Sequence, residues 1–119
     1  MGCDDIDFQR EIIDVLEAHG WNVKLEDNII YFNTTSPRGL LMRYSILATS
    51  APNAIKSLYY LQVDFNANTY VEDWIHAKQK NIDTHLTVKE LVEEADYIQK
   101  ALTKAYVLVK CHFDEKTKN

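Results

Sequence analysis

Residues 87–105 carry the feature that most restricts what this chain can fold into. Thr87, Val88, Lys89 and Glu90 have the spacing of a capping box. In that arrangement the threonine hydroxyl accepts from the third helical amide while the glutamate carboxylate reaches back to the threonine's own amide. Behind it Leu91, Ala95, Ile98, Leu102 and Ala105 recur at three- and four-residue intervals and form one continuous apolar face. A helix cannot bury such a face against itself, so the rest of the chain must supply the surface that covers it. Glu90, Glu93, Glu94 and Asp96 crowd its first half and Lys100, Lys104 and Lys110 its second. That polarity matches the helix dipole and sets Asp96 one turn before Lys100.

The preceding residues predict the covering layer. Asp4 and Asp5 open a helix in which Ile6, Ile12, Ile13 and Leu16 fall on one side, and Gly20 ends it. Strict alternation follows: Trp21, Val23 and Leu25 point one way, Asn22, Lys24 and Glu26 the other. Asp27 and Asn28 tolerate turn geometry, and Ile29, Ile30, Tyr31 and Phe32 make the return strand of a hairpin. Residues 34–39 hold Pro37 and Gly39 as turn residues. Residues 40–48 read as a third strand, apolar on both faces except at Arg43 and Ser45, and such a run is expected at the centre of a sheet. Then only helical patterns remain. Ser50 or Asn53 caps a helix bearing Ala54, Leu58, Leu61 and Phe65. Residues 66–68 break the pattern, and Thr69 with Glu72 repeats the capping-box spacing ahead of a short helix through Val71, Trp74, Ile75 and Lys78, with Trp74 expected in the core. Residues 79–86 read as a polar loop and residues 114–119 as a frayed tail. Strands in one run and helices in another give an α+β fold. It is a single domain over residues 1–119, with a helix, a three-stranded antiparallel sheet, and three further helices packed on one face.

The formal net charge of −5 disfavours direct nucleic acid or anionic membrane as a partner, because gripping phosphates needs clustered Lys and Arg. Helix, three strands and helix is also the order of double-stranded RNA-binding domains, but the second helix starts Pro52, Asn53, Ala54, Ile55, Lys56, with one lysine where a basic cluster is required. Cys3 and Cys111 do not form a disulfide framework, the start is polar, and no apolar run has the length of a membrane span. A cytoplasmic protein with reduced thiols is the expectation.

Chemistry-bearing residues do not assemble into a motif. His19, His76, His85 and His112 lack the spacing of a metal site; Asp73 and His76 share a helix face with nothing to complete a set. Cys111 and His112 are adjacent and point apart on a helix, and a Cys–His nucleophile lacks a supporting signature at either cysteine, so Cys111 is expected as a small apolar filler. Glu72 with Asp73, and Glu93 with Glu94, read as solvated helix positions rather than general acids and bases. The isolated glycines make no phosphate loop. No catalytic residue, cofactor or metal is therefore expected. Large rings are abundant, and Tyr60, Tyr70 and Tyr97 are the candidates for exposed contact rings, since Tyr and Trp dominate binding hot spots.

Asp64, Phe65, Asn66, Val71, Trp74, Ile75, Ala77 and Lys78, followed by Thr87 and the run Glu90, Leu91, Val92, Glu93, Glu94, Ala95, resemble a group of short acidic proteins encoded by gut bacteria, their phages and plasmids. The resemblance covers the C-terminal half; the first half is similar in pattern, with a Ser36–Pro37 turn. Asn68, Thr69 and Tyr70 stand where the group has an acidic run, and residues 79–86 lack its proline. The resemblance implies a fold and a mobile-element setting, and no catalytic residues. The functional expectation is a non-enzymatic protein-interaction module, monomeric or homodimeric, engaging a protein partner through Glu90, Glu93, Glu94, Asp96, Tyr97 and Tyr70. Its sharpest form is an inhibitor that mimics nucleic-acid charge on a basic, nucleic-acid-handling protein. The alternative is a small-ligand-binding or enzymatic domain with a pocket between the sheet and the C-terminal helices, holding His76 or His85 near a carboxylate.

Overall fold

The computed structural model describes residues 3–79 and 86–117. Helix α1 spans Cys3–Ala18, strands β1, β2 and β3 span Asn22–Glu26, Ile29–Thr35 and Leu41–Leu47, and helices α2, α3 and α4 span Ala51–Asp64, Ala67–Gln79 and Val88–Thr117. This is the α+β order that the sequence predicts. The sheet is antiparallel in the order β1-β2-β3. Most of the polar loop expected at residues 79–86 lies outside the described residues, as does His85.

Local chemistry explains the joints. Gly20, at φ +93°, takes the left-handed conformation that ends α1, and the Trp21 amide returns to the Leu16 carbonyl at 3.1 Å. Asp27 and Asn28 both hold positive φ, which gives the hairpin a turn whose twist matches its strands. Ser50 caps α2 by accepting from the Asn53 amide at 3.2 Å, which decides between the two capping candidates. The Thr87 capping box closes reciprocally: Thr87 N–H donates to Glu90 Oε1 at 2.9 Å, and Glu90 N–H donates to Thr87 Oγ1 at 3.2 Å. Those bonds hold the Glu90 carboxyl below its usual range, with Arg38 adding to the effect.

Three expectations are corrected. The central strand is β2, not β3; the apolar residues on the second face of β3, Leu41 and Leu47, are exposed rather than covered. Helix α3 starts before Thr69, because Asn66 caps it: its Oδ1 accepts from the Thr69 amide and its carbonyl from the Tyr70 amide, both at 3.0 Å. Finally α4 runs to Thr117, with Asp114 paired to Lys110 one turn earlier at 2.7 Å, so residues 114–117 are helical where the composition suggests a frayed tail, and residues 118–119 lie outside the described residues.

One core joins the inner face of the sheet to three helices. Ile30, Phe32, Met42 and Ile46 meet Ile12 and Leu16 of α1, Ala54 and Leu58 of α2, and Ile98, Leu102, Ala105 and Val109 of α4. Trp21 packs edge-on against Phe32 at 4.9 Å. A smaller cluster sets Val71 of α3 against Leu91 and Ala95, with Trp74 partly buried among them, so Trp74 anchors α3 to α4 as expected. Two side-chain amides act as long-range ties. Gln9 Nε2 donates to the Ala48 carbonyl at 2.8 Å and to Asn28 Oδ1 at 3.2 Å, pinning α1 to the hairpin turn and the end of β3. Gln99 Nε2 donates to the Gln62 carbonyl at 2.8 Å, pinning α4 to α2.

Burial pushes the Tyr44 phenol up to about 12, with Tyr70 nearby adding to the shift. A phenol raised in the folded state stabilises the fold fully below its unfolded value of 10.0, and that contribution is lost as the pH climbs through the folded value. Urea unfolding followed between pH 9 and about 12 should therefore show a loss of stability that Tyr44→Phe reduces. An identical alkaline profile for the two proteins would contradict it.

Candidate functional site

The acidic stretch of α4 is held by the loop between β2 and β3. Gly39, at φ +88°, and the bond from its amide to the Ser36 carbonyl at 2.9 Å turn this loop back toward α4. Glu94 is 1% exposed and its carboxylate is enclosed by that loop. Ser36 Oγ donates to Glu94 Oε1 at 2.5 Å, the Arg38 amide donates to the same oxygen at 3.1 Å, and the Arg38 guanidinium lies 3.7 Å from Oε2. Ser36 Oγ also accepts from the Leu40 amide at 3.0 Å, so one hydroxyl closes the loop and binds the carboxylate. The Arg38 guanidinium reaches Glu90 at 3.4 Å and Glu93 at 3.3 Å as well.

Of the residues singled out as a contact face, Glu90, Glu93 and Glu94 thus converge on one internal arginine. Glu94 is a buried structural carboxylate, which corrects its reading as a solvated contact residue. Asp96 pairs with Lys100 at 2.9 Å, as its helical spacing predicts. Tyr97 is exposed, and so is Tyr60. Tyr70 is not an exposed ring: it packs against Phe65 at 5.9 Å and touches both clusters, and its hydroxyl is enclosed. Burial pushes its phenol up, against an opposing effect of Trp74, with the Glu94 charge raising it further.

The second feature is a cleft of about 410 Å³ between α1 and α4. Val15, Leu16 and Trp21 form one side and Ala101, Ala105 and Leu108 the other, with Thr34 of β2 also lining it. The two alanines lie four apart on α4, and their small side chains leave the hollow. Around this apolar lining stand His19, Tyr97, Lys100 and Lys104. His19 is tied through Nδ1 to the Val15 carbonyl at 2.9 Å, which orients its ring. Lys104 is exposed and has no ion-pair partner among the described residues. Such a lining can take an apolar group and set a carboxylate against ammonium groups.

The cleft lies between α1 and α4, with Thr34 its one lining residue from a strand, whereas the alternative reading placed a pocket between the sheet and the C-terminal helices; its histidine is His19, not His76. His76 is exposed on α3. Cys111 is exposed too, which corrects its reading as a core filler; its neighbour His112 turns to Glu11 of α1 at 3.2 Å. Among the described residues no three His, Cys, Asp or Glu side chains are grouped so as to hold a metal ion. The sequence pattern assigns Lys100 and Lys104 to the helix dipole, and Lys100 also to a pair with Asp96. The signal that could have found the cleft is the i, i+4 spacing of Ala101 and Ala105 beside Lys100 and Lys104, small residues bordered by cations on one helix.

The geometry around Glu94 predicts a contrast. Glu94→Ala removes the acceptor of a buried, charge-assisted pair and should cost about 2 kcal/mol in urea unfolding. Glu93→Ala removes only a solvent-screened partner of Arg38 and should cost under about 0.5 kcal/mol. Equal losses would show that Glu94 is not the keystone of the loop. No protein-family model, no curated protein and no solved structure matches the chain, so the resemblance to short acidic proteins of mobile elements stands on the residues quoted for it.

Proposed function

We propose that the chain is a protein-interaction module that acts by binding rather than by catalysis, and that the cleft between α1 and α4 is its contact site. The observation that carries this reading is the cleft's apolar lining with Lys100 and Lys104 beside it, on a chain of net charge −5. The fitting partner is an apolar segment that carries an acidic side chain or a terminal carboxylate. A basic partner fits the acidic face of α4 less well, because Arg38 already engages Glu90, Glu93 and Glu94. In the charge-mimic form of the reading, Glu90 and Glu93 would meet a partner already partly neutralised by Arg38.

A second reading is supported by size. About 410 Å³ falls in the range of small-molecule pockets, so an amphipathic carboxylic acid would fit the same lining. Among the described residues no helix is long and apolar enough to cross a membrane. A cytoplasmic setting agrees with Cys111, an exposed free thiol of the kind that reducing compartments preserve.

An aromatic sulfonate dye, 8-anilino-1-naphthalenesulfonate, is the probe, because it joins an apolar body to one negative charge. Its fluorescence should rise on binding to the native chain. Replacing both Lys100 and Lys104 with Glu should weaken it by about tenfold or more, the scale of one to two charge-assisted contacts. Ala101→Phe, which fills the hollow, should weaken it without loss of far-ultraviolet circular dichroism. Dye binding that ignores both changes would overturn the assignment of the cleft. Proteins captured by the native chain and lost on Ala101→Phe would favour the protein partner; a small acid recovered from the native chain by mass spectrometry would favour the second reading.

A further inference from the structure

Strand β3 combines two properties that seldom go together, an apolar composition and an edge position. Two hydrogen bonds fix the phase of its ladder with β2. The Ser36 amide donates to the Leu40 carbonyl at 2.8 Å at one end, and the Ala48 amide donates to the Asn28 carbonyl at 2.7 Å at the other. With the unbroken register between them, the even-numbered residues of β3 bond to β2. The backbone N–H and C=O of Leu41, Arg43, Ser45 and Leu47 therefore face away from the sheet. Beside them runs a groove of about 440 Å³ between the strand, at Tyr44 to Leu47, and Ser57, Tyr60 and Leu61 of α2. The side chains of Leu41 and Leu47 are 57% and 49% exposed.

We propose that this edge pairs with the same edge of a second copy of the chain, antiparallel about a two-fold axis through Tyr44. A second copy is the occupant that the strand's own sequence fits, because the edge is complementary to itself in one register. Only residues whose backbone groups face outward can bond across the edge, so Leu41, Arg43, Ser45 and Leu47 must pair among themselves. An axis through Arg43 would set that cation opposite itself, and an axis through Ser45 would leave Leu41 beyond the end of the neighbouring strand. With the axis at Tyr44 the whole strand pairs: Leu41 falls opposite Leu47 of the partner subunit, and Arg43 opposite Ser45 of the partner subunit. Both leucine pairs then lie on the open face of the sheet, where each covers apolar surface that the single chain leaves in water. The sheet would become six-stranded with its apolar edges removed.

The other edge lacks this symmetry. By the same phase Val23 and Leu25 of β1 face outward, and their symmetric pairing would bring Lys24 against Lys24 of the partner subunit in the closely spaced position. A lysine there guards the edge, and β3 has none. None of the residues lining the groove lines the cleft between α1 and α4, so a failure of self-pairing and a failure of the cleft assignment are separable.

Light scattering on the full chain at high micromolar concentration should give twice the mass of one chain. Ser45→Lys sets a second cation opposite Arg43 of the partner subunit and should weaken the dimer by about tenfold, since the two-fold axis counts each pair twice. Ser45→Glu sets an anion there and should tighten it by a similar factor. The Ser45 side chain is exposed in the single chain, so both variants should fold, which circular dichroism checks. A monomer at high concentration overturns the proposal. So does a dimer in which the two substitutions fail to act in opposite directions, because that dimer uses another surface or another register.

Discussion

The buried carboxylate of Glu94 is the constraint on which the arrangement of this molecule depends. Placing an ionised carboxylate at 1% exposure costs several kcal/mol unless its lone pairs are used and a cation stands nearby. Here Ser36 Oγ and the Arg38 amide bond one oxygen, and the Arg38 guanidinium faces the other. These partners sit on a loop whose own closure uses the same serine, through the Leu40 amide. The loop cannot leave α4 without stranding a charge, and it cannot open without breaking the bonds that satisfy that charge. Its two ends are therefore fixed relative to α4: Thr34, which lines the cleft, lies just before it, and Leu41, which begins the edge strand, lies just after it.

How far the chain was legible follows from the range over which each feature is decided. The helix caps at Ser50 and Thr87, the hairpin at Asp27 and Asn28, and the stop at Gly20 are settled within a few residues, and the structure has them where the spacing points. The cap of α3 is just as local, yet the capping-box spacing points to Thr69 while the cap is Asn66; an asparagine serves as breaker or cap, and the choice depends on whether its Oδ1 meets an amide three residues on. The burial of Glu94 was not legible at all. Its partners Ser36 and Arg38 are 58 and 56 positions away, and on its own helix it is one acid among four, with the spacing of a solvated face. The place of β3 in the sheet is hidden from the sequence for a similar reason. An apolar run on both faces signals surface to be covered, but the pattern does not say whether this chain or another covers it.

The sign of the whole chain and the sign of its candidate site differ, and the difference has a physical origin. Net charge is a sum, and a surface field decays over about 8 Å at physiological salt, so a partner responds to the groups within one turn or two of its contact. Arg38 lies against the densest acidic run and partly cancels it where it stands. On α4 the acids are gathered toward the N-terminus and the lysines follow one turn and more later, an order the helix dipole favours. That same order carries Lys100 and Lys104 along the helix to the level of Ala101 and Ala105, where small side chains open the cleft. A charge distribution that serves the stability of one long helix thus leaves cations beside an apolar hollow on an acidic protein. Binding there would be selected by those local cations and by the fit of an apolar group, not by the excess of carboxylates elsewhere.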